Sequence, residues 1–361
     1  MSAGTVIALA AGGTGGHVFP AQALAHELQS RGVRVILITD HRGDPLTKDF
    51  PCDAKMVLTA ASPNRRNPVQ LLKLAFGLAG SCWRARKFLK QHKCSQIVGF
   101  GGYPTVPSLA AARMLGLPIV LHEQNAVLGR SNRLFAGSAK WIASGFTQLK
   151  LLPEAARSRH VVTGNPLRPN IISHINASFP NTDHDLHVLV LGGSLGARIL
   201  SEAVPAAVGL LSKELASRLV VTAQITKDRL ASAQQSFKQA EVRAELAPFF
   251  EDVAERLARA HLVIARAGAS TVSELAAVGR GAILVPLAIA MDDHQSANAR
   301  VLKAAGAADI IAEEALTPEK LAGLLSARLS DVSNLAQRAK RATLVANTDA
   351  SAKLADLILN K

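Results

Sequence analysis

Two segments of this chain place a glycine-rich turn directly between an apolar run and a helical pattern. Residues 11–17 follow an apolar run that ends at Ala10, and residues 191–198 follow another that begins at Val188. In such a turn the main-chain N–H groups and the positive end of the helix dipole converge on one position, which suits a phosphate. The repeat predicts two α/β domains that handle a nucleotide-linked ligand.

Short runs rich in β-branched residues alternate with longer helical patterns throughout the chain. The runs are residues 6–10, 33–39, 97–99, 119–121, 161–162, 188–191, 219–221, 262–265 and 283–286. Apolar strands separated by helices are typical of a parallel sheet that is covered on both faces. We therefore predict an α/β fold of two Rossmann-like, doubly wound parallel-sheet domains that face a cleft.

The boundary between the two domains is expected where this alternation breaks. Residues 164–169 interrupt the pattern, and a new apolar strand begins at Val188. We expect an N-terminal domain at residues 1–166, a C-terminal domain at 167–344, and a helix at 345–361 that returns to the N-terminal domain.

The composition excludes several classes of protein. With 361 residues, 48% of them hydrophobic and 19% charged, the chain can bury two cores, which argues against disorder. Its three cysteines form no C-x-x-C pair and argue against a disulfide framework, so we expect a reducing cytosol. Neither a signal sequence nor an apolar stretch of membrane-spanning length is evident.

The net charge of +14 is concentrated in the first half of the chain. Residues 1–165 hold 20 Lys and Arg against 7 Asp and Glu, a balance of +13, whereas residues 166–361 hold 21 against 20, a balance of +1. A bias confined to one half indicates that this half meets a polyanion, either an anionic lipid surface or a nucleic acid.

The first glycine turn, at residues 12–16, admits more than one interpretation. A dinucleotide-binding turn requires the pattern G-x-G-x-x-G and an acid after the next strand; Asp40 fits, but Val18 occupies the third glycine position. A Walker loop requires Gly-Lys, which the chain does not contain. A tight turn that binds no ligand is the remaining alternative.

The second turn, at residues 192–196, satisfies the G-x-S-x-G pattern of a hydrolase nucleophile elbow. The residues of such a triad would be Ser194, Asp252 or Asp292, and His261 or His294. This alternative leaves the whole first domain without a role.

Residues 266–274 form a third segment suited to an anion. Gly268 follows an apolar run, and Ser270 or Thr271 can cap the next helix, whose first N–H groups then face a diphosphate. Glu274 lies one turn into this helix, where its carboxylate can accept both hydroxyls of a ribose. A capping box without a ligand is the alternative.

Together these segments resemble the MurG family, the bacterial glycosyltransferases of family 28 that add N-acetylglucosamine to lipid I to make lipid II of peptidoglycan. The resemblance spans essentially the whole chain and rests on residues 12–20, 101–103, 122–125, 164–168, 192–198 and 266–274. It implies an inverting transferase of GT-B architecture that needs no cofactor and acts in cell-wall biogenesis, cell shape and cell division. A nucleotide-sugar epimerase or another lipid glycosyltransferase of the same fold is the nearest alternative.

The resemblance assigns roles to individual positions. The residues expected to bind UDP-N-acetylglucosamine are Thr14, Gly15, Gly16, Asn125, Arg168, Ser194, Phe250, Ala269, Ser270, Thr271, Val272, Ser273, Glu274 and Gln295. The residues expected at the acceptor diphosphate are Gly13, Gly101, Gly102 and Tyr103. Two positions depart from the pattern, because Leu195 and His294 stand where the family usually has glutamine.

His17 ends the first turn and is our candidate for the base that activates the acceptor hydroxyl, because histidine titrates near neutral pH. A histidine that only hydrogen-bonds substrate or backbone is the alternative. Helix N-termini near Ser194 and Ser270, aided by Arg168, would neutralise the departing UDP. The run Asp292-Asp293-His294 is more typical of a solvated loop than of a metal site, so we expect no metal.

Residues 65–90 combine an apolar arc with a basic flank. The residues at helical spacing on one face are Leu72, Phe76, Ala79 and Trp83, and the flank includes Arg84 and Lys87. The pattern favours a peripheral helix on an anionic membrane, here the cytoplasmic face of the inner membrane, where other cell-wall synthesis proteins are possible partners. A buried core helix is one alternative; nucleic-acid binding is disfavoured because aromatic residues make up only 4% of the chain.

Overall fold

A computed structural model describes residues 4–59, 68–193 and 196–360, with side chains from residue 76 onward in the second range. The chain divides into two compact units. Unit 1 comprises Met1–Arg168 and Asp349–Lys361, and unit 2 comprises Pro169–Thr348. The chain therefore passes from unit 1 to unit 2 after Arg168 and returns before Asp349.

Each unit is built around one parallel sheet. The strands in the described part of unit 1 are β1 (Val6–Ala10), β2 (Arg34–Asp40), β3 (Ala54–Leu58), β4 (Gln96–Gly99), β5 (Ile119–Glu123), β6 (Trp141–Ser144) and β7 (His160–Val162). Those in the described part of unit 2 are β8 (Leu186–Leu191), β9 (Leu219–Gln224), β10 (Arg243–Ala247), β11 (Leu262–Ala265), β12 (Ala282–Leu284) and β13 (Ala308–Ile310). The strand orders are β3-β2-β1-β4-β5-β6-β7 and β10-β9-β8-β11-β12-β13, so the predicted fold class is confirmed.

Helices connect the strands and cover the sheets. Within the described residues they are α1 (Gly15–Ser30), α2 (Pro68–Gln91), α3 (Thr105–Met114), α4 (Arg130–Phe135), α5 (Pro169–Ile172), α6 (Arg198–Val208), α7 (Lys213–Arg218), α8 (Leu230–Gln239), α9 (Val253–Arg259), α10 (Ala269–Val278), α11 (His294–Ala304), α12 (Pro318–Leu329), α13 (Val332–Thr343) and α14 (Ala350–Leu359). Along β1, Ala8 and Ala10 belong to one buried apolar cluster and Ile7 and Leu9 to another. Both faces of the unit 1 sheet are thus covered, which is why its strands are apolar at successive positions.

Four strands in the described part of the chain coincide with none of the runs rich in β-branched residues. β3 and β10 are edge strands whose residues are mostly only partly buried, β13 is a three-residue edge strand that contains an aspartate, and β6 has a single β-branched residue. Short or half-exposed strands need few β-branched residues, so their sequences do not differ enough from the neighbouring loops.

In each sheet the strand order reverses at the first strand. β1 lies between β2 and β4, and β8 lies between β9 and β11. Ala10 pairs with Gly99, and Leu191 pairs with Ala265, so the loops that follow each pair of strands begin at the same level of the sheet. Open α/β sheets bind ligands at this reversal, beyond the carboxyl ends of the strands.

A buried polar network joins β5 to the segment that leaves unit 1. His122 Nε2 donates to Gly164 O at 3.0 Å, and His122 Nδ1 accepts from Gln124 Nε2 at 3.0 Å. Asn165 Nδ2 donates to Gln124 O at 2.9 Å. Burial lowers the pKa of His122 to about 4, so the ring is neutral and anchors the segment without carrying charge.

We expect the protein to lose stability as the pH falls below neutrality, because His122 takes up a proton near its ordinary pKa of 6.5 only when the chain is unfolded. Between pH 6.5 and pH 5, His122 accounts for a loss of about 1.5 kcal/mol in the free energy of unfolding. Urea denaturation of the wild type and of His122→Gln at both pH values measures the part of this loss in the free energy of unfolding that is due to His122. Burial also lowers the pKa of His160 and His261, but those contributions are common to both proteins. Equal losses in the two proteins would show that His122 is not responsible.

Candidate functional site

The glycine loop after β1 is held by Asp40, at the carboxyl end of β2. Asp40 Oδ1 accepts hydrogen bonds from the main-chain N–H groups of Gly13 and Gly43, each at 2.9 Å, and the residue is 1% exposed. A Cβ at Gly12 would lie 2.6 Å from the same oxygen, so this approach requires glycine. The acid that a dinucleotide-binding protein would use for a ribose here serves the loop itself.

His17 lies in the first turn of α1 and packs against the loop after β4. Its Nδ1 is 3.0 Å from Gly12 O; because a carbonyl oxygen only accepts, Nδ1 carries the proton and the neutral ring has its unshared pair on Nε2. A Cβ at Gly101, whose φ is +97°, would lie 3.0 Å from Nε2. Glycine at position 101 therefore keeps a side chain away from the nitrogen that a base would use.

The loops after β4 and β5 bring further predicted residues to the same edge of unit 1. Gly101 and Gly102 lead to Tyr103, whose hydroxyl is buried and has no hydrogen-bond partner among the described residues. After β5, Glu123 Oε1 accepts from both the main-chain N–H and the side-chain Nδ2 of Asn125, each at 3.1 Å. The structure thus gathers the first glycine loop, His17 and Tyr103, and fixes the Asn125 amide separately.

Arg168 is the last residue of unit 1 before the chain enters unit 2. Its guanidinium carbon lies 5.6 Å from the centroid of the Phe19 ring, a cation–π contact. Phe19 follows the first glycine loop in α1, so Arg168 lies in unit 1 beside the loop that holds the predicted donor residues Thr14, Gly15 and Gly16, whereas the predicted donor residues from Phe250 to Gln295 lie in unit 2.

In unit 2 the glycine loop after β8 is held by Gln224, at the end of β9. Gln224 Oε1 accepts from Gly192 N at 3.0 Å, while its Nε2 donates to Gly193 O and to Pro248 O, each at 3.1 Å. A single amide therefore ties this loop to the segment that leads to Phe250. Ser194 and Leu195 lie outside the described residues.

Helix α10 presents the N-terminus that the sequence predicts for a diphosphate. Gly268 precedes it and has no side chain to cap the first N–H groups, and within the part of the chain that the structure describes Ser270 Oγ is buried without a hydrogen-bond partner. Glu274 is 6% exposed, and Val272 is buried at 1%, so Val272 can meet a ligand only through its main chain. Ala269, Thr271 and Ser273 complete the first turns. A helix N-terminus without a side-chain cap, a buried hydroxyl and a buried carboxylate suit an anionic, hydroxyl-bearing ligand.

The turn before α10 is clamped by helix α11. Gln295 Oε1 accepts from Ala267 N at 3.2 Å and from Leu287 N at 3.0 Å, and Asn298 Nδ2 donates to Ala267 O at 3.1 Å. Because both partners of Gln295 Oε1 are donors, the orientation of its amide is fixed, and a ligand would meet Nε2.

An ion pair extends this clamp. Arg266 donates to Glu313 Oε1 at 2.8 Å, and Glu313 Oε2 accepts from Ala288 N at 2.7 Å. The hydrogen bond from Arg266 lowers the pKa of Glu313. One carboxylate thereby joins the turn before α10 to the loop after β12.

The side chains of two predicted site residues, Phe250 and His294, contact other residues of unit 2. The Phe250 side chain is 6% exposed and lies under the Arg256 guanidinium, whose carbon is 4.1 Å from the ring centroid. His294 Nδ1 donates to Met291 O at 2.7 Å and so stabilises the turn that contains Asp292 and Asp293, both with φ near +54°. In the described part of the chain, no three His, Cys, Asp or Glu side chains form a group that could hold a metal ion.

The hydrolase interpretation based on His261 is wrong. His261 precedes β11, at the amino end of the sheet, where its N–H donates to His187 O at 2.8 Å and its ring is buried. The second glycine loop lies at the opposite, carboxyl end of β8, about 17–20 Å away for a six-residue strand. Asp252, one of the two acids considered for the triad, pairs with Arg256 at 2.7 Å.

Helix α2 carries the predicted amphipathic surface. Phe76 is 71% exposed and Trp83 is 63% exposed, whereas Ala85 and Leu89 are buried in the apolar cluster of unit 1. The core-helix alternative thus fails for Phe76 and Trp83. Arg84 and Lys87 are also exposed, and the side chain of Leu72 lies outside the described residues. None of the helices searched in the described part of the chain has the length and apolarity of a membrane span.

Several residues that shape these sites have no motif of their own. Gln224, Asn298 and Glu313 each reach a glycine loop or turn from a distant part of the sequence. Gln224 alone offered a signal, because a polar residue ends an otherwise apolar strand at the edge where ligands bind.

Two family models match the chain in order. The glycosyltransferase family 28 N-terminal domain matches residues 7–144, and the glycosyltransferase family 28 C-terminal domain matches residues 187–357. These matches cover both glycine loops and the α10 segment.

Individual proteins are similar over nearly the whole chain. The UDP-N-acetylglucosamine–N-acetylmuramyl-(pentapeptide) pyrophosphoryl-undecaprenol N-acetylglucosamine transferase of Maricaulis maris is 50% identical, covering 96% of this chain and 95% of the relative. The protein of the same name from Brucella suis is 46% identical, covering 98% and 93%. The crystal structure of Acinetobacter baumannii MurG is 33% identical, with a TM-score of 0.81 over 99% of this chain and 100% of the other.

A putative UDP-N-acetylglucosamine 2-epimerase from Listeria monocytogenes has a TM-score of 0.68 at 13% identity, over 99% of this chain and 96% of the other, a likeness that shows the fold alone. The two domain models and the extended identity to the transferases are more specific. This chain therefore belongs to glycosyltransferase family 28 and is a glycosyltransferase.

Proposed function

We propose that the enzyme transfers N-acetylglucosamine from UDP-N-acetylglucosamine to the muramoyl sugar of lipid I, an undecaprenyl-diphosphate-linked MurNAc-pentapeptide, and so makes lipid II for peptidoglycan. The observation that carries this proposal is the 50% identity over 96% of the chain to a relative whose name describes a transfer to this acceptor. Two anion-directed glycine loops, one in each unit, agree with a reaction between two diphosphate-containing substrates.

The donor is assigned to unit 2. Its diphosphate would accept hydrogen bonds from the first N–H groups of α10 and from Ser270 Oγ, and Glu274 would accept the ribose hydroxyls. Gln295 Nε2 would reach the sugar, since its Oε1 is occupied by two main-chain donors. The remaining donor positions are Ser194, Phe250, Ala269, Thr271, Val272 and Ser273, with Thr14, Gly15, Gly16, Asn125 and Arg168 contributed by unit 1.

The acceptor and the base are assigned to unit 1. His17 Nε2 would take the proton as the acceptor oxygen forms a bond to C1 of the donor sugar and the bond from C1 to UDP breaks, which inverts the configuration. The bond from Nδ1 to Gly12 O already sets the tautomer that this role requires. Gly13, Gly101, Gly102 and the Tyr103 hydroxyl would meet the acceptor diphosphate.

The lipid acceptor implies contact with a membrane surface. The exposed Phe76 and Trp83 of α2, together with Leu72, would enter the interface, while Arg84 and Lys87 would face anionic headgroups. The enzyme would then act as a peripheral protein at the cytoplasmic face of the inner membrane, where other cell-wall synthesis proteins would be its partners.

The transfer can be tested with purified enzyme, UDP-N-acetylglucosamine and lipid I, by following lipid II formation and UDP release. We expect UDP-glucose to react at least tenfold more slowly, because it lacks the acetamido group. His17→Ala should lower kcat about 100-fold and leave calorimetric binding of UDP-N-acetylglucosamine nearly unchanged, since His17 is not among the residues proposed to contact the donor. Near-normal turnover by His17→Ala would remove it as the base. Binding of NADH in place of UDP-N-acetylglucosamine would overturn the assignment.

Membrane binding can be tested by co-sedimentation with phosphatidylglycerol-containing vesicles. We expect the double variant Phe76→Glu, Trp83→Glu to bind at least tenfold more weakly, because it loses two interfacial side chains and gains two negative charges. Leu344→Glu is the matched control, since Leu344 is an equally exposed apolar residue in unit 2, at 80% exposure. Equal binding by the wild type and the double variant would rule out this surface of α2.

A further inference from the structure

One peptide group in the first glycine loop connects Asp40 to His17. The N–H of Gly13 donates to Asp40 Oδ1 at 2.9 Å, and the carbonyl oxygen of Gly12 accepts from His17 Nδ1 at 3.0 Å. These N–H and C=O groups belong to the same peptide bond, between Gly12 and Gly13. We propose that Asp40 is a positioning residue for the base and acts on His17 through this peptide bond, an inference that rests on the proposed role of His17.

The electronic structure of a peptide group allows it to transmit such an effect. Its N–H and C=O share a delocalised system, so a strong acceptor at the N–H makes the carbonyl oxygen more negative and a better acceptor. A carboxylate is a stronger acceptor than a neutral group. Asp40 therefore strengthens the hydrogen bond that holds His17 Nδ1–H and favours the positive charge that His17 acquires when Nε2 takes a proton.

This is the task of the buried aspartate in a serine-protease triad, which fixes the tautomer of its histidine and stabilises the imidazolium. In the triad the carboxylate contacts the ring directly. Here a peptide group is interposed between Asp40 and His17, so we expect a smaller effect of the same sign.

Close packing around this peptide bond shows that the arrangement is built into the fold. A Cβ at Gly12 would lie 2.6 Å from Asp40 Oδ1, a Cβ at Gly43 would lie 2.9 Å from Gly12 Cα, and a Cβ at Gly102 would lie 2.6 Å from Gly12 O. Side chains are therefore excluded on three sides of the peptide group. The two hydrogen bonds to Asp40 Oδ1, from Gly13 and Gly43, hold the carboxylate in place.

Asp40 is the carboxylate that is hydrogen-bonded to the peptide group contacted by His17. Among the described residues, no ion pair within 4.0 Å involves Asp40. The other titratable and charged side chains on the segments around the loop include His41, Arg42, Asp44, Tyr103, His122, Glu123, Arg130 and Arg168. His41 and Arg42 are exposed, and the buried His122 is neutral. Asp44 pairs with Lys55 at 2.7 Å, and the Glu123 carboxylate accepts from the main-chain N–H groups of Asn125 and Gly129. Removal of the Asp40 charge should therefore affect His17 through the peptide group.

The informative variant is Asp40→Asn, which keeps an oxygen that can accept from Gly13 and Gly43 but removes the charge. We expect kcat to fall about tenfold, KM for UDP-N-acetylglucosamine to change less than about twofold, and the acidic limb of the kcat/KM profile to move about half a pH unit lower. Asp53→Asn is the matched control, because Asp53 also accepts a main-chain N–H in unit 1, from Val35, and lies away from the loop. A loss of stability alone would not move the pH profile.

A direct readout separates this proposal from the assignment of the base. The NMR titration of His17 in the ligand-free enzyme, identified by the signal missing in His17→Ala, should show a lower pKa in Asp40→Asn than in the wild type. This measurement tests the effect of Asp40 on His17 even if His17→Ala keeps its turnover. If Asp40→Asn does not fold, Asp40→Ser is measured instead, since its hydroxyl also accepts and carries no charge. An unchanged His17 titration in a folded, uncharged variant would overturn the proposal.

Discussion

The parallel pairing of the central strands, β1 with β4 and β8 with β11, is the constraint on which both sites depend. Because the strands run in the same direction and pair in register at their ends, the loops that follow them open side by side. Each glycine loop therefore has a partner loop that supplies side chains: Tyr103 in unit 1, and the start of α10 in unit 2. The chemistry of both sites follows from this geometry, since neither loop alone carries a charged group.

The fold could be predicted to a large extent from the sequence because its central strands are buried on both faces and its glycine turns are unmistakable. β1 and β11 are apolar at every position. β10 and β13 could not be predicted, because β10 contains no β-branched residue and β13 contains an aspartate. In the candidate site, the positions of His17 and of the α10 segment follow from local pattern alone.

The supporting side chains could not be predicted in the same way. Gln224, Asn298 and Glu313 hold main-chain groups of loops that lie 24 or more residues away in the sequence, and no local pattern marks such a contact. The sequence shows an acid after β2, at Asp40, but it does not show what that acid binds. The same position binds a ribose in dinucleotide-binding proteins, whereas here it accepts a hydrogen bond from the backbone of the glycine loop. A glycine loop is flexible, so its N–H groups keep a fixed direction only if side chains from elsewhere in the fold hold its backbone. Asp40, Gln224 and Asn298 hold the loops here.

The return of the chain to unit 1 in α14 has a consequence for biosynthesis. Leu354, Ala355 and Ile358 are buried in the same apolar cluster as Leu24 of α1. Pro169–Thr348 is synthesised before these residues. Unit 2 is therefore made as one uninterrupted segment, whereas unit 1 is complete only after its last helix, α14, has been synthesised. The half of the protein that is synthesised first is thus the half that is completed last, and the part of α1 that packs against α14 stays uncovered throughout that interval.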